Sequence, residues 1–132
     1  MTEEERREHL RRSFDYCCGY CGVREDECGS ELEADHYQPR SQGGTDAFEN
    51  LVYCCPTCNR LKGDFWNHDS TSPRRILHPH RDNLALHLRE ESDGQLIPLM
   101  EAGAFHIRRL RLNRSPLIAQ RLRRRWPAMM GQ

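Results

Sequence analysis

The sequence predicts an α+β fold of short strands and short helices that needs a staple beyond its own core. Three observations predict it. The chain has 132 residues, of which 36% are hydrophobic, and its mean hydropathy is -0.90, so one domain with a thin core is expected. The middle of the chain alternates strand-like runs with turn signals before a short helix. Both ends carry helical patterns.

The elements follow in order. Thr2 and Glu5 give a capping pattern, acids crowd the first turn and arginines follow, which predicts a helix over residues 2–14. Leu32 to Tyr37 alternates apolar and polar residues and is read as a strand. Pro39 through Asp46, with Gly43-Gly44, is a loop. The run FENLVYCC is a second strand, and PTCNRLKGDF opens on proline and reaches glycine after Lys62, the asymmetry of a short helix. After a proline-bearing connector, LALHLRE and GQLIPL read as two strands around Asp93-Gly94. Residues 104–112 fit either strand or helix. Ile118, Leu122 and Trp126 recur at four-residue steps, which predicts an amphipathic helix over 115–126. The whole is read as a single domain, 1–132, with a core of about 14–66 and a C-terminal hairpin/helix extension of about 80–127.

No apolar run is long enough to cross a bilayer. The opening MTEEERREHLRRSF is charged and lacks the apolar middle of a secretory signal, so the chain is read as cytoplasmic, with reduced thiols. Net charge is formally zero, yet unevenly spread. Glu25, Asp26, Glu27, Glu31, Glu33 and Asp35 gather in one stretch. From Ala102 onward there is no acid, but Arg108, Arg109, Arg111, Arg114, Arg121, Arg123, Arg124 and Arg125 are all present. Such a tail suits phosphate, because the guanidinium fork matches its oxygens. A solvated helix face fits the tail alone equally well.

The seven cysteines fall into two tight clusters and a singleton. Each cluster holds one C-x-x-C pair, Cys18–Cys21 and Cys55–Cys58. Two such pairs supply four thiolates, enough for a closed tetrahedral zinc site, and glycine and proline inside them suit tight turns. A disulfide conflicts with the inferred compartment, and a redox motif would need only one pair on an α/β pattern that is missing. The gap between the pairs is longer than in a simple zinc ribbon, so zinc would clamp a larger insert. Cys17, Cys28 and Cys54 are read as packed thiols outside the site.

Inside that insert stands Asp35-His36, with Asn50 before the second strand and Asn59 on the helix that carries Cys58. Strand, turn, strand and helix can bring these groups onto one face. The residue types suit phosphodiester cleavage. Asp35 and Asn59 offer the oxygen donors that a hard divalent ion such as Mg²⁺ or Mn²⁺ takes, with the rest of its shell left to water and phosphate. Neutral His36 can take a proton from an attacking water. Asn50 can fix the loop and orient the His36 ring.

The stretch LEADHYQPRSQGGTDAFENLVYCCPTCNRLKGD resembles the HNH endonuclease family, of the ββα-metal (His-Me finger) fold. Its D-H, P-x-S-x-G-G, N-L and C-x-x-C-N-x-x-K-G elements stand here in order, and with the leading cysteine pair they cover about residues 17–64. The resemblance implies a zinc-stapled ββα-metal core with His36 as general base, Asp35 and Asn59 as ligands of the catalytic metal, and Asn50 in a structural, orienting role. The third motif position is Asn59 rather than histidine, an H-N-N variant. The tail is similar to the C-terminal extension of small stand-alone bacterial proteins of this family. Catalytic roles are not extended to His78, His80, Asp82 or His87.

The resulting expectation is a metal-dependent nuclease acting on double-stranded DNA, with Arg40, Arg60, Lys62 and the tail arginines on phosphates, and with no membrane partner. A double-strand cut by one small site per chain is easier for a dimer. The alternative is a non-catalytic zinc module that binds nucleic acid or protein. It would keep the cysteines and arginines without needing Asp35, His36 and Asn59 together.

Overall fold

The computed structural model describes the backbone of residues 1–130 and the side chains of residues 1–125. The chain divides into two compact units, Met1–His68 and a second that begins at Asp69. The N-terminal helix belongs to the first unit. No helix among the described residues is long and apolar enough to cross a membrane.

In the first unit, α1 (Glu3–Ser13) begins where the sequence places it. The Thr2 hydroxyl accepts from the Glu5 amide at 3.1 Å, three glutamates fill the first turn, and Arg11 and Arg12 end the helix. Local caps and dipole pairing thus set both ends of a helix that buries only Leu10. A short α2 (Glu25–Cys28) follows. Arg11 forks onto Glu25 with bonds of 2.9 and 2.8 Å. The Tyr53 hydroxyl donates to the same carboxylate and accepts from the Leu32 amide at 2.7 Å. The Arg11 guanidinium holds the Glu25 carboxyl below its usual range despite the opposing effect of burial. This network ties α1, α2 and the central strands together with charge where the apolar core is thin.

Strands β1 (Glu33–His36) and β2 (Leu51–Cys54) pair antiparallel, Glu33 opposite Cys54 and His36 opposite Leu51. Val52, Tyr53 and Cys54 are buried, so β2 forms the inner strand of the unit. Helix α3 (Pro56–Lys62) follows with proline in its first turn and Gly63 after its end. The order is strand, loop, strand, helix, as the sequence predicts. The α+β architecture with a ββα core and a cysteine staple is the observed one.

The second unit holds α4 (Leu84–His87), β3 (Leu88–Glu90), β4 (Leu96–Pro98), α5 (Glu101–Arg109) and α6 (Ser115–Met130). Two readings are corrected here, and one left open is decided. The first predicted strand of the hairpin starts late, because the Asn83 side chain accepts from the Ala85 amide and caps a helical turn over residues 84–87. The ambiguous 104–112 stretch lies largely in α5, whose inner face buries Ala102, Phe105, His106 and Ile107. Helix α6 turns Leu117, Gln120 and Arg121 inward, whereas Leu122 is 41% exposed. The Trp126 side chain lies outside the described residues.

The arginine tail is not uniformly a phosphate surface. Arg121 is buried and donates to the Gly94 and Leu112 carbonyls at 3.0 and 2.6 Å. Arg125 donates to the Ser92 and Glu91 carbonyls and pairs with the Glu90 carboxylate. These two guanidiniums bond carbonyls of the β3–β4 turn, and Arg121 that of Leu112 as well, a role in which five donors on a planar fork are the asset.

Candidate metal centre and active site

The cysteine cage is built by two turns. Gly22, in the left-handed region at φ 78°, closes the first knuckle with its amide bonded to the Cys18 carbonyl at 2.9 Å. Cys55 caps α3 and its sulfur accepts from the Cys58 amide at 3.4 Å. The Sγ atoms of Cys18, Cys21, Cys55 and Cys58 all lie within 4.8 Å of one another. A zinc ion with bonds of about 2.3 Å in a tetrahedron sets sulfur–sulfur edges of about 3.8 Å, and Cys21 and Cys55 are 3.7 Å apart. The cage therefore fits zinc in donor type, number and spacing. Its electrostatics fit as well. Bonds from Cys21 and from the other neighbouring thiols push Cys18 well down, while hydrogen bonding to Cys18 pushes Cys58 up. The cage alone lowers Cys18 and Cys55 and raises Cys21 and Cys58, and a dication is what lets all four deprotonate. Cys54 is buried beside the cage, while Cys17 and Cys28 stand apart from it.

Asp35 sits on β1 and is 7% exposed. Its Oδ2 accepts from the Tyr20 hydroxyl at 3.0 Å and lies 3.1 Å from the Lys62 ammonium. Burial pushes the Asp35 carboxyl up, and the charge and hydrogen bond of Lys62 oppose it. Lys62 is fully buried and also donates to the His36 carbonyl at 3.1 Å. Its predicted place on a nucleic-acid phosphate is thereby corrected: the ammonium is spent inside the unit, locking the end of α3 to β1.

Asn59, also on α3, donates through Nδ2 to the Glu33 carboxylate at 3.0 Å. Glu33 and Asp35 are alternate residues of β1 and share the face that meets α3. His36 is the last residue of β1. It lines a groove of about 460 Å³ together with Ala34, Arg6, Arg7, Arg40 and Asp46. Asp35 and Asn59 thus meet partners across the β1–α3 junction, Lys62 and Glu33, while His36 reaches the groove. Its Nε2 lies 2.8 Å from Asp46 Oδ1.

Asn50 is buried and works on the loop. Its Oδ1 accepts from the Gln38 amide at 2.9 Å, and its Nδ2 donates to the Gln38 and Thr45 carbonyls at 3.0 and 2.8 Å. Gly44 packs against this loop so tightly that a Cβ there would lie 1.7 Å from the Gln38 oxygen. Arg40 and Arg60 are exposed, and Arg40 pairs with Asp46.

One pattern joins Asp35, Asn59 and His36. Asp35 bonds through Oδ2, Asn59 through Nδ2 and His36 through Nε2. The other polar atom of each, Asp35 Oδ1, Asn59 Oδ1 and His36 Nδ1, lies outside these bonds. A carboxylate oxygen and an amide oxygen are donors that suit a hard divalent ion. A ring nitrogen suits a proton acceptor. Sequence reasoning missed Tyr20, Glu33 and Asp46, the partners that hold these three side chains.

Residues 18–65 match the family model described as HNH endonuclease. No curated protein and no solved structure matches the chain at a significant level. The matched segment spans both cysteine pairs, both strands, the loop and α3. With its four-cysteine cage and ββα order, the segment 18–65 is the part of the chain that is similar to the HNH endonuclease family.

Proposed function

We propose that this protein is a metal-dependent endonuclease that hydrolyses phosphodiester bonds in double-stranded DNA. The observation that carries the reading is the pattern of bonds within a family-matched segment: Asp35, Asn59 and His36 each spend one polar atom on the fold, and the other lies outside these bonds. Asp35 and Asn59 would hold a divalent ion, Mg²⁺ or Mn²⁺. When bound, that ion supplies Lewis-acid stabilisation of charge on the phosphate and the leaving 3′ oxygen.

The rest falls to the chain. His36 accepts a proton at Nδ1 from the attacking water. The water oxygen bonds to phosphorus, the bond to the 3′ oxygen breaks, and that oxygen takes a proton from solvent. Asn50 holds the loop between Gln38 and Thr45, a structural role. Tyr20 and Lys62 keep Asp35 oriented through its back oxygen. Arg40 and Arg60, both exposed, are placed to hold flanking phosphates, which makes affinity fall as salt rises. Zinc in the cysteine cage joins the knuckle before β1 to the start of α3, and so fixes the register of the unit.

One observation favours the alternative of a catalytically silent zinc module. The Lys62 ammonium already neutralises Asp35, which a carboxylate waiting for a metal does not require. Purified zinc-loaded protein should nick or linearise plasmid DNA with Mg²⁺ or Mn²⁺ and should be inactive after EDTA treatment that spares the structural zinc. A folded, zinc-loaded protein that binds DNA but leaves it intact with every divalent metal would establish the silent module instead.

A further inference from the structure

We propose that Asp46 is the positioning residue of His36: it takes the Nε2 hydrogen and turns Nδ1 toward the groove. The proposal rests on the reading of His36 as general base. It concerns a residue between the glycine pair and the asparagine of the motif, to which nothing above gives a role.

The geometry is specific. Asp46 Oδ1 lies 2.8 Å from His36 Nε2. The same oxygen is held by Arg40, with Nε at 2.9 Å and Nη2 at 2.7 Å. Arg6 donates to the Asp46 carbonyl at 2.6 Å. Asn50 pins the neighbouring Thr45 carbonyl at 2.8 Å. Asp46 is therefore fixed at its backbone, at its side chain and at the residue before it, although more than half of its side chain is exposed. A carboxylate beside a guanidinium stays ionised and can only accept, so the hydrogen of a neutral imidazole resides on Nε2. The lone pair is then on Nδ1. A ring held by one bond also stops rotating, so Nδ1 keeps one direction. The orienting role expected of Asn50 is in this way exercised at one remove, through the loop and Asp46.

The test pairs NMR with kinetics. His36 is labelled with ¹⁵N in the metal-free protein at pH 8, and its ring signals are assigned in wild type, Asp46→Ala and Asp46→Asn. Wild type should show a solvent-protected proton on Nε2 and an unprotonated Nδ1. That protected proton should vanish in Asp46→Ala and persist in Asp46→Asn, which keeps an acceptor oxygen. With Mg²⁺, Asp46→Ala should lower kcat about 10- to 100-fold with KM changed less than threefold, and Asp46→Asn should recover part of the loss. A wild-type proton on Nδ1, or a protected Nε2 proton that survives in Asp46→Ala, would overturn the proposal. So would an unchanged kcat in Asp46→Ala. The spectra do not depend on cleavage: the expected spectra from a wild type that cuts nothing support the Asp46 bond while sinking the nuclease reading.

Discussion

The Lys62 ammonium lies 3.1 Å from Asp35 Oδ2 with its side chain wholly removed from solvent. The pair joins the last turn of α3 to β1, so the helix that carries Asn59 is held to the strand that carries Asp35. Removing one partner leaves a buried charge unpaired, at a cost of about 3–5 kcal/mol. Lys62→Met should lower unfolding stability by that amount. Asp35→Asn combined with Lys62→Met should recover much of it, because neither charge remains. A double-mutant cycle by urea denaturation measures the coupling, and additive effects would show that the pair contributes nothing.

The zinc cage makes a separate prediction. Apparent binding energies of about 10–16 kcal/mol for structural zinc match or exceed the ~5–15 kcal/mol stability of a whole domain. Cys58→Ser should therefore leave Met1–His68 unfolded and free of zinc, while Cys28→Ser, which changes a thiol outside the cage, should leave both properties unchanged. Zinc content by atomic absorption and circular dichroism together check this.

Metal choice should follow Asn59. An amide oxygen favours a hard ion, and an imidazole favours a softer one. Asn59→His should raise cleavage with Ni²⁺ relative to Mg²⁺, by about tenfold or more in the ratio of rates, and steady-state rates in each metal give the comparison. It should also release Glu33 from its present hydrogen bond.

His106 should make the second unit acid-labile. Its Nδ1 accepts from the Leu77 amide at 3.0 Å, and burial drives its pKa down to about 4, with Asp82 opposing and His87 and Arg75 assisting. The unfolded chain takes up its proton near pH 6.5, the folded one only near 4. Stability from this group is complete above about pH 6.5 and is lost as pH falls through the window from 6.5 to about 4. The loss approaches about 3 kcal/mol. His106→Asn keeps an acceptor for Leu77 without the titration. Between pH 7 and 4.5 it should lose about 2–3 kcal/mol less than wild type in urea unfolding.

The legible part of this protein was the part written in local sequence. Thr2 and Glu5 cap α1, Pro56 and Gly63 bound α3, and two C-x-x-C pairs mark the cage, all from residues a few positions apart. The order D-H, N and N marked the candidate site for the same reason. What stayed hidden depends on contacts across the fold. Lysine is ordinarily exposed, and nothing near Lys62 signals that it is buried against Asp35. Asp46 meets His36 only because Asn50 closes the loop between them. Leu84, Leu86 and Leu88 alternate like a strand, and only the Asn83 cap shows that the first turn is helical. Arg121 and Arg125 look like a phosphate surface until the β3–β4 carbonyls that they satisfy are in place.

The central claim is that His36 is the base of a metal-dependent nuclease. Plasmid cleavage in Mg²⁺ by wild type and His36→Ala, run side by side at matched zinc content, tests it most directly. The account predicts nicked or linear DNA with wild type and a loss of at least 100-fold with His36→Ala, while DNA affinity and zinc content stay the same. A His36→Ala protein that cuts at the wild-type rate would contradict it.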